Sequence, residues 1–132
     1  MSTPPKPTES ELQILRVLWR LGSGTVRDVY NEMNAQRETG YTTVLKLMQI
    51  MTEKGLVIRD ESERTHVYRA KVTADHTQKR MVKDLPDRVF DGSAAQLVQQ
   101  ALSAKGVSAE ELAEIKKLLA EHTQGKNTEK NS

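Results

Sequence analysis

Tyr41, Thr42 and Thr43, followed by Lys46 and Gln49, are residues whose types and spacing suit one shared chemical task. Steps of three and four residues bring Thr42, Thr43, Lys46 and Gln49 to one side of a helix. Hydroxyls and free amides in a first helical turn meet phosphate oxygens or base edges when the helix N-terminus enters a major groove. A lysine one turn on reaches a phosphate or a guanine edge, and a glutamine one turn further pairs with adenine or stays solvated. Tyr41 either donates its hydroxyl to phosphate or staples the helix entry with its ring. The chemistry is non-covalent reading of a nucleic-acid duplex. Arg64, in a polar turn farther along, is a second cation, placed for the sugar-phosphate backbone or the minor groove.

The elements that must carry these residues follow from periodicity. A helix from about Thr42 to Lys54 puts Val44, Leu47, Met48 and Met51 on the face opposite the polar one, and Gly55 stops it. Leu45 and Ile50 lie off this stripe, free either to touch a thymine methyl or to pack, with packing favoured for Ile50. After Gly55 the period changes: Leu56–Asp60 and His66–Val72 read as two strands closed by the polar turn Glu61–Thr65. Upstream, Thr8 and Glu11 have capping-box spacing ahead of Leu12, Leu15, Val17, Leu18, Trp19 and Leu21, and Gly22 ends that helix. Thr25 and Asp28 repeat the cap before Val26, Val29, Tyr30 and Met33. Trp19 and Tyr30 read as core or domain-interface residues. Three helices and a hairpin make a winged helix-turn-helix over residues 8–73.

Beyond it, Thr73-Ala74-Asp75 opens a helical segment through Met81 and Leu85 that Pro86 interrupts, and Asp91-Gly92 forms a turn. Ser93 with Gln96 introduces Leu97, Val98, Ala101 and Leu102; Ser108 with Glu111 introduces Leu112, Ile115, Leu118 and Leu119. Helices this short are unstable alone, and three apolar stripes without a globular core call for a second copy of the chain. Residues 74–122 are therefore expected to be a helical dimerisation domain, with Leu85, Phe90, Leu97, Val98, Leu102, Leu112, Ile115 and Leu119 at its contacts. A proline-rich leader, residues 1–7, and a polar tail, residues 123–132, are expected to be disordered. The predicted fold class is mainly α with a small β hairpin: a winged helix-turn-helix domain followed by a helical dimerisation domain.

Composition narrows the function further. The 132 residues include no cysteine, which removes disulfides, thiolate nucleophiles and cysteine-rich metal sites. No apolar run approaches the ~20 residues of a membrane span, and the N-terminus lacks a signal-peptide stretch, so no membrane insertion is expected and the location expected is the cytoplasm. His66, His76 and His122 show no ligand spacing; no metal and no cofactor is implied. No phosphate loop, nucleophile elbow or metalloprotease helix is present, so the chain is not expected to be an enzyme. The formal net charge is only +2: residues 8–72 carry ten Lys/Arg against nine Asp/Glu, and residues 73–122 seven against eight. Affinity for DNA must then come from a few placed cations, helix N-terminal amides and two copies acting together.

Several of these residues also resemble a known family. Tyr41-Thr42-Thr43-Val44, Glu53-Lys54-Gly55-Leu56-Val57, Arg64 with Val67-Tyr68-Arg69, Val89-Phe90-Asp91-Gly92-Ser93 with Leu97-Val98, and Ser108-Ala109-Glu110-Glu111-Leu112 are similar to the penicillinase repressor family, the BlaI and MecI type, over roughly residues 8–120. The resemblance implies a homodimeric winged-helix repressor on a palindromic double-stranded DNA operator, with a C-terminal helical domain interlocking two chains. It further implies release by cleavage in that domain by a membrane sensor protease. Gln100-Ala101 stands where the family has its Asn-Phe scissile pair, and the wing has Glu63 where a glycine often precedes the arginine. The copper-responsive branch uses a cysteine cluster that this chain lacks. The expected function is sequence-specific transcriptional repression; the alternative is a winged-helix module that docks a protein through the same face, favoured by the near-neutral charge.

Overall fold

The computed structural model describes residues 4–35 and 38–130, and the chain parts into two compact units between Asp84 and Leu85. In the first unit, α1 (Glu9–Leu21) starts at a complete capping box: the Glu11 amide donates to Thr8 Oγ1 at 3.2 Å, and the Thr8 amide donates to Glu11 Oε1 at 2.9 Å. Helix α2 (Val26–Asn34) repeats the box with Thr25 and Asp28, both bonds being 3.0 Å. Helix α3 (Tyr41–Lys54) ends at Gly55, whose φ of 81° takes the left-handed conformation that L residues avoid. That turn lets the Leu56 amide bond back to Met51 O at 2.9 Å and drops the Leu56 side chain into the core.

Strands β1 (Val57–Asp60) and β2 (Val67–Ala70) pair antiparallel, Val57 opposite Ala70 and Asp60 opposite Val67. They are shorter than the expected Leu56–Asp60 and His66–Val72, although the Lys71 amide still donates to Leu56 O at 2.9 Å, and the Leu56 and Val72 side chains are buried. A third rung comes from an unforeseen place: Gly24, in the α1–α2 link, exchanges two backbone bonds with Tyr68 at 2.9 and 2.8 Å. A side chain there would press on Asp28, since a Cβ would lie 3.3 Å from the Asp28 Cβ. The core collects Ile14, Leu15 and Leu18 from α1, Val29 from α2, Val44, Met48 and Met51 from α3, and Leu56 and Tyr68 from the wing. Leu47 is only half-buried, while Ile14, outside the stripe read from sequence, is fully enclosed. Ile50 does not pack as expected; it is 39% exposed.

Helix α4 (Ala74–Lys83) stands with the first unit rather than with the helical tail that the sequence reading begins at residue 74. Thr77 is 3% exposed, the Trp19 indole Nε1 donates to Val72 O at 2.9 Å just before α4, and the leader straps the helix down. In that strap Arg80 Nη1 donates to Pro4 O at 2.6 Å and Lys6 Nζ lies 3.0 Å from Asp84 Oδ2. Residues 4–7 are thus held by these contacts, where disorder was expected; Met1, Ser2 and Thr3 lie outside the described residues.

In the second unit, α5 (Leu85–Val89) carries Pro86 in its first turn, where a missing amide costs nothing, so Pro86 starts a short helix and the preceding one has already ended at Lys83. Asp91 and Gly92, with φ of 49° and 82°, turn the chain into α6 (Ala94–Lys105), capped by Ser93. Helix α7 (Ala109–Lys130) continues past Thr123, where the tail was expected to be disordered; no proline follows, and a lone Gly125 costs a helix only about 1 kcal/mol. Asn131 and Ser132 lie outside the described residues. Among the described residues no side chain of this unit is buried: Leu85, Phe90, Leu97, Leu102 and Ile115 are half-buried, and Val98, Leu112 and Leu119 are exposed.

Glu11 supplies the first test. Burial of its carboxyl opposes ionisation, but hydrogen bonds from Lys54 Nζ, at 2.7 Å, and from the Thr8 amide outweigh it and hold the group below its ordinary value. Its stabilising effect is therefore complete above the unfolded value of about 4.3 and is lost as pH falls through the lower folded value. Glu11→Gln is expected to cost about 1.5–3 kcal/mol of unfolding free energy at neutral pH. In urea titrations the gap between variant and parent should close in strong acid; a gap independent of pH would contradict the assignment.

Candidate nucleic-acid interface

The N-terminus of α3 differs from those of its neighbours. Helices α1, α2, α4 and α6 each begin at a Thr or Ser whose hydroxyl accepts an amide of the first turn, and the Ser108 hydroxyl accepts the Glu111 amide at the start of α7. Helix α3 begins at Gly40, with no side-chain cap. Its first-turn amides are left for an external acceptor, at the end of the helix where the backbone dipole favours an anion. Thr42, Thr43, Lys46 and Gln49 are all exposed on the same helix, and Tyr41 is 37% exposed.

Tyr41 is fixed by its ring. The Tyr30 and Tyr41 centroids are 5.5 Å apart at 74°, an edge-to-face contact, and the Arg27 guanidinium carbon lies 4.6 Å from the Tyr41 centroid and 5.6 Å from that of Tyr30. The start of α3 is thereby stapled to α2. Arg27 escaped the sequence reading, although Arg27 and Tyr30 have the i, i+3 spacing that puts a cation beside a ring on one helix face.

The wing closes the other side. A crevice of about 200 Å³ is lined by Arg27, Tyr41, Leu45, Arg64, His66 and Tyr68, so Arg64 at the hairpin tip shares a surface with the entry of α3. Lys46, Gln49, Thr42 and Thr43 do not line this crevice but lie along the exposed face of the helix beside it. The acidic wing residues are not all free to face a phosphate. Glu61 Oε2 is 3.4 Å from Arg59 Nε and its Oε1 is 3.9 Å from His66 Nε2. Arg59 stands opposite Tyr68 in the ladder, and its guanidinium is held more basic than usual by Tyr68 and then Glu61. Asp60 accepts the Ser62 amide at 2.9 Å, which holds its carboxyl below the usual range and sets the turn. Glu63 and Arg64 remain exposed. His66, His76 and His122 join no metal-holding group among the described residues.

Three helices followed by a two-stranded wing define the winged-helix class. The penicillinase repressor family model matches residues 7–121, and the chain belongs to that family. The chain is similar to the penicillinase repressor of Bacillus licheniformis, 21% identical over 122 residues that cover 92% of this chain and 95% of the relative. It is also similar to the transcriptional regulator BlaI of Mycobacterium tuberculosis, 36% identical over 59 residues, 44% of this chain and 43% of the relative. The solution structure of the DNA-binding domain of the repressor BlaI superposes with a TM-score of 0.51 at 20% identity, covering 58% of this chain and 93% of that one, which supports the winged-helix fold.

The staple is separable from the hydroxyl that caps the ring. Arg27→Ala is expected to lower the unfolding free energy by about 0.5–1 kcal/mol, the cost of an exposed cation–π contact. Tyr41→Phe, which keeps the ring, should leave the denaturation midpoint unchanged. An equal loss in both variants would move the contact from the ring to the hydroxyl.

Proposed function

We propose that this protein is a sequence-specific transcriptional repressor that binds double-stranded DNA as a homodimer. The observation that carries the reading is the uncapped N-terminus of α3 with Thr42, Thr43, Lys46 and Gln49 exposed along the same helix. Thr42 and Thr43 offer hydroxyls and amides to phosphate or base edges, Lys46 a cation to phosphate or guanine, Gln49 a bidentate amide to adenine, and Tyr41 a hydroxyl to phosphate. Arg64 on the wing takes the adjoining backbone or minor groove. Arg27, outside the first set of candidates, adds a third cation next to Tyr41.

Two copies supply what one lacks. The near balance of charge in each half of the chain makes a single reading head a weak binder, and the second unit offers apolar stripes with no buried side chain of its own. Packing Leu85, Phe90, Leu97, Val98, Leu102, Leu112, Ile115 and Leu119 against the same residues of a second chain pairs the reading heads. The operator is then an inverted repeat, its half-sites about one helical turn, roughly 34–36 Å, or a multiple apart. The repressor acts in the cytoplasm, by occupying DNA that polymerase needs. Relief of repression by a membrane sensor protease belongs to the same reading: Gln100 and Ala101 are exposed on α6, between Val98 and Leu102 of the stripe, and a cut there divides it.

Fluorescence titration of labelled duplexes across salt tests the DNA reading. The protein should prefer the region upstream of its own gene over random DNA, and Lys46→Ala should weaken binding to all sequences while reducing the log–log salt slope by about 1. Equal weak binding to every duplex would favour the protein-docking alternative. Gly40→Ser asks the question from the other side: a serine hydroxyl would cap α3, so the fold should gain roughly a few tenths of a kcal/mol while DNA affinity falls. Sedimentation should give a dimer at micromolar concentration, and a monomer would remove the pairing argument.

A further inference from the structure

The first unit contains a groove of about 520 Å³ between α1 and α4, away from the reading face. Its walls are Leu12, Trp19 and Met81, Thr77 lies in its lining, and Arg16 and Arg20 stand on the α1 side. The volume falls within the roughly 300–1,000 Å³ of small-molecule sites, and so does the combination of apolar walls with a few polar groups.

Three features give the groove a chemical preference. It is lined by two arginines and no acidic residue. Arg20 Nη2 is engaged by Glu32 Oε2 at 2.7 Å, but Arg16 has no ion pair or hydrogen bond among the described residues. Thr77, in the lining, is 3% exposed. Its hydroxyl is a donor whose hydrogen a ligand oxygen in the groove could accept. The apolar wall is also rigid, because the Trp19 indole is tied to Val72 O at 2.9 Å. A fixed ring loses little entropy when something packs on it.

We infer that this groove binds a small carboxylate bearing an apolar ring or chain, its carboxylate on Arg16 and Thr77 and its apolar part against Leu12, Trp19 and Met81. A guanidinium fork matches a carboxylate bidentately, which selects an acid over the corresponding alcohol. The site stands independently of the DNA reading, since none of its residues belongs to the α3 face or the wing.

Trp19 is the only tryptophan in the chain, so its indole N–H gives a single NMR resonance that reports on the groove. Using the full-length protein, 3-phenylpropionate should shift that resonance saturably at millimolar concentration. Arg16→Gln should weaken the response about tenfold, the loss of one hydrogen bond to a charged group, with unchanged thermal unfolding. The neutral 3-phenyl-1-propanol should bind more weakly and ignore Arg16→Gln, and Met81→Phe, which puts a rigid ring in the groove, should weaken the response to the acid. No saturable shift, or an equal response to acid and alcohol, would overturn the site. So would an indole resonance that moves with protein concentration alone, which would put a second copy of the chain in the groove.

Discussion

The carboxylate of Glu11 holds together the parts on which the reading face depends. One of its oxygens accepts the Thr8 amide and so closes the start of α1, and the other accepts Lys54 Nζ and so fixes the end of α3. The group is 1% exposed, and a charge so enclosed persists only when it is paired and hydrogen-bonded. Its pairing therefore locks the exit of α3 to the first turn of the chain's first helix. One residue later Gly55 turns the backbone and sends Leu56 into the core, so the same contact also sets where the wing begins.

Against this well-satisfied frame, the start of α3 stands out. Threonines and serines close the other long helices, whereas Gly40 leaves α3 open and Tyr41, Arg27 and Tyr30 hold it in place by ring contacts instead. A protein that departs from its own local rule at one exposed site keeps that site free for something else. The stapling by rings rather than by a capping hydroxyl is compatible with a phosphate acceptor, because it fixes the helix without consuming its amides. The wing engages two of its three acidic residues, Asp60 in the turn and Glu61 with Arg59 and His66, which leaves Glu63 and Arg64 exposed at the tip.

The second unit has the opposite character. Helix α6 is short and capped by Ser93, α7 starts at a Ser108 cap, and the apolar residues of both remain half-buried or exposed. Caps worth about 1 kcal/mol each cannot hold such helices in water without tertiary packing. The proposed pairing of two chains supplies the missing burial, and it offers a physical reason for a modestly charged reading head to be joined to a tail rich in leucine.

Much of this was decided by sequence alone. Hydroxyl-to-carboxylate spacing fixed the starts of α1 and α2, Gly55 fixed the end of α3, and the threefold and fourfold steps fixed which side of α3 faces the core, because capping and periodicity are local and act within one or two turns. The exposed positions of Thr42, Thr43, Lys46 and Gln49 followed from the same arithmetic. What the tertiary structure decided are the contacts between residues far apart in the chain: Lys54 on Glu11, Gly24 against Tyr68, Arg27 beside Tyr41, Pro4 under Arg80 and the Trp19 indole on Val72. The placement of α4 with the first unit, the burial of Ile14 and the exposure of Ile50 belong with them. Periodicity ranks the faces of one helix, but how deeply a residue lies depends on what the rest of the chain brings against it, and a single sequence does not contain that information locally.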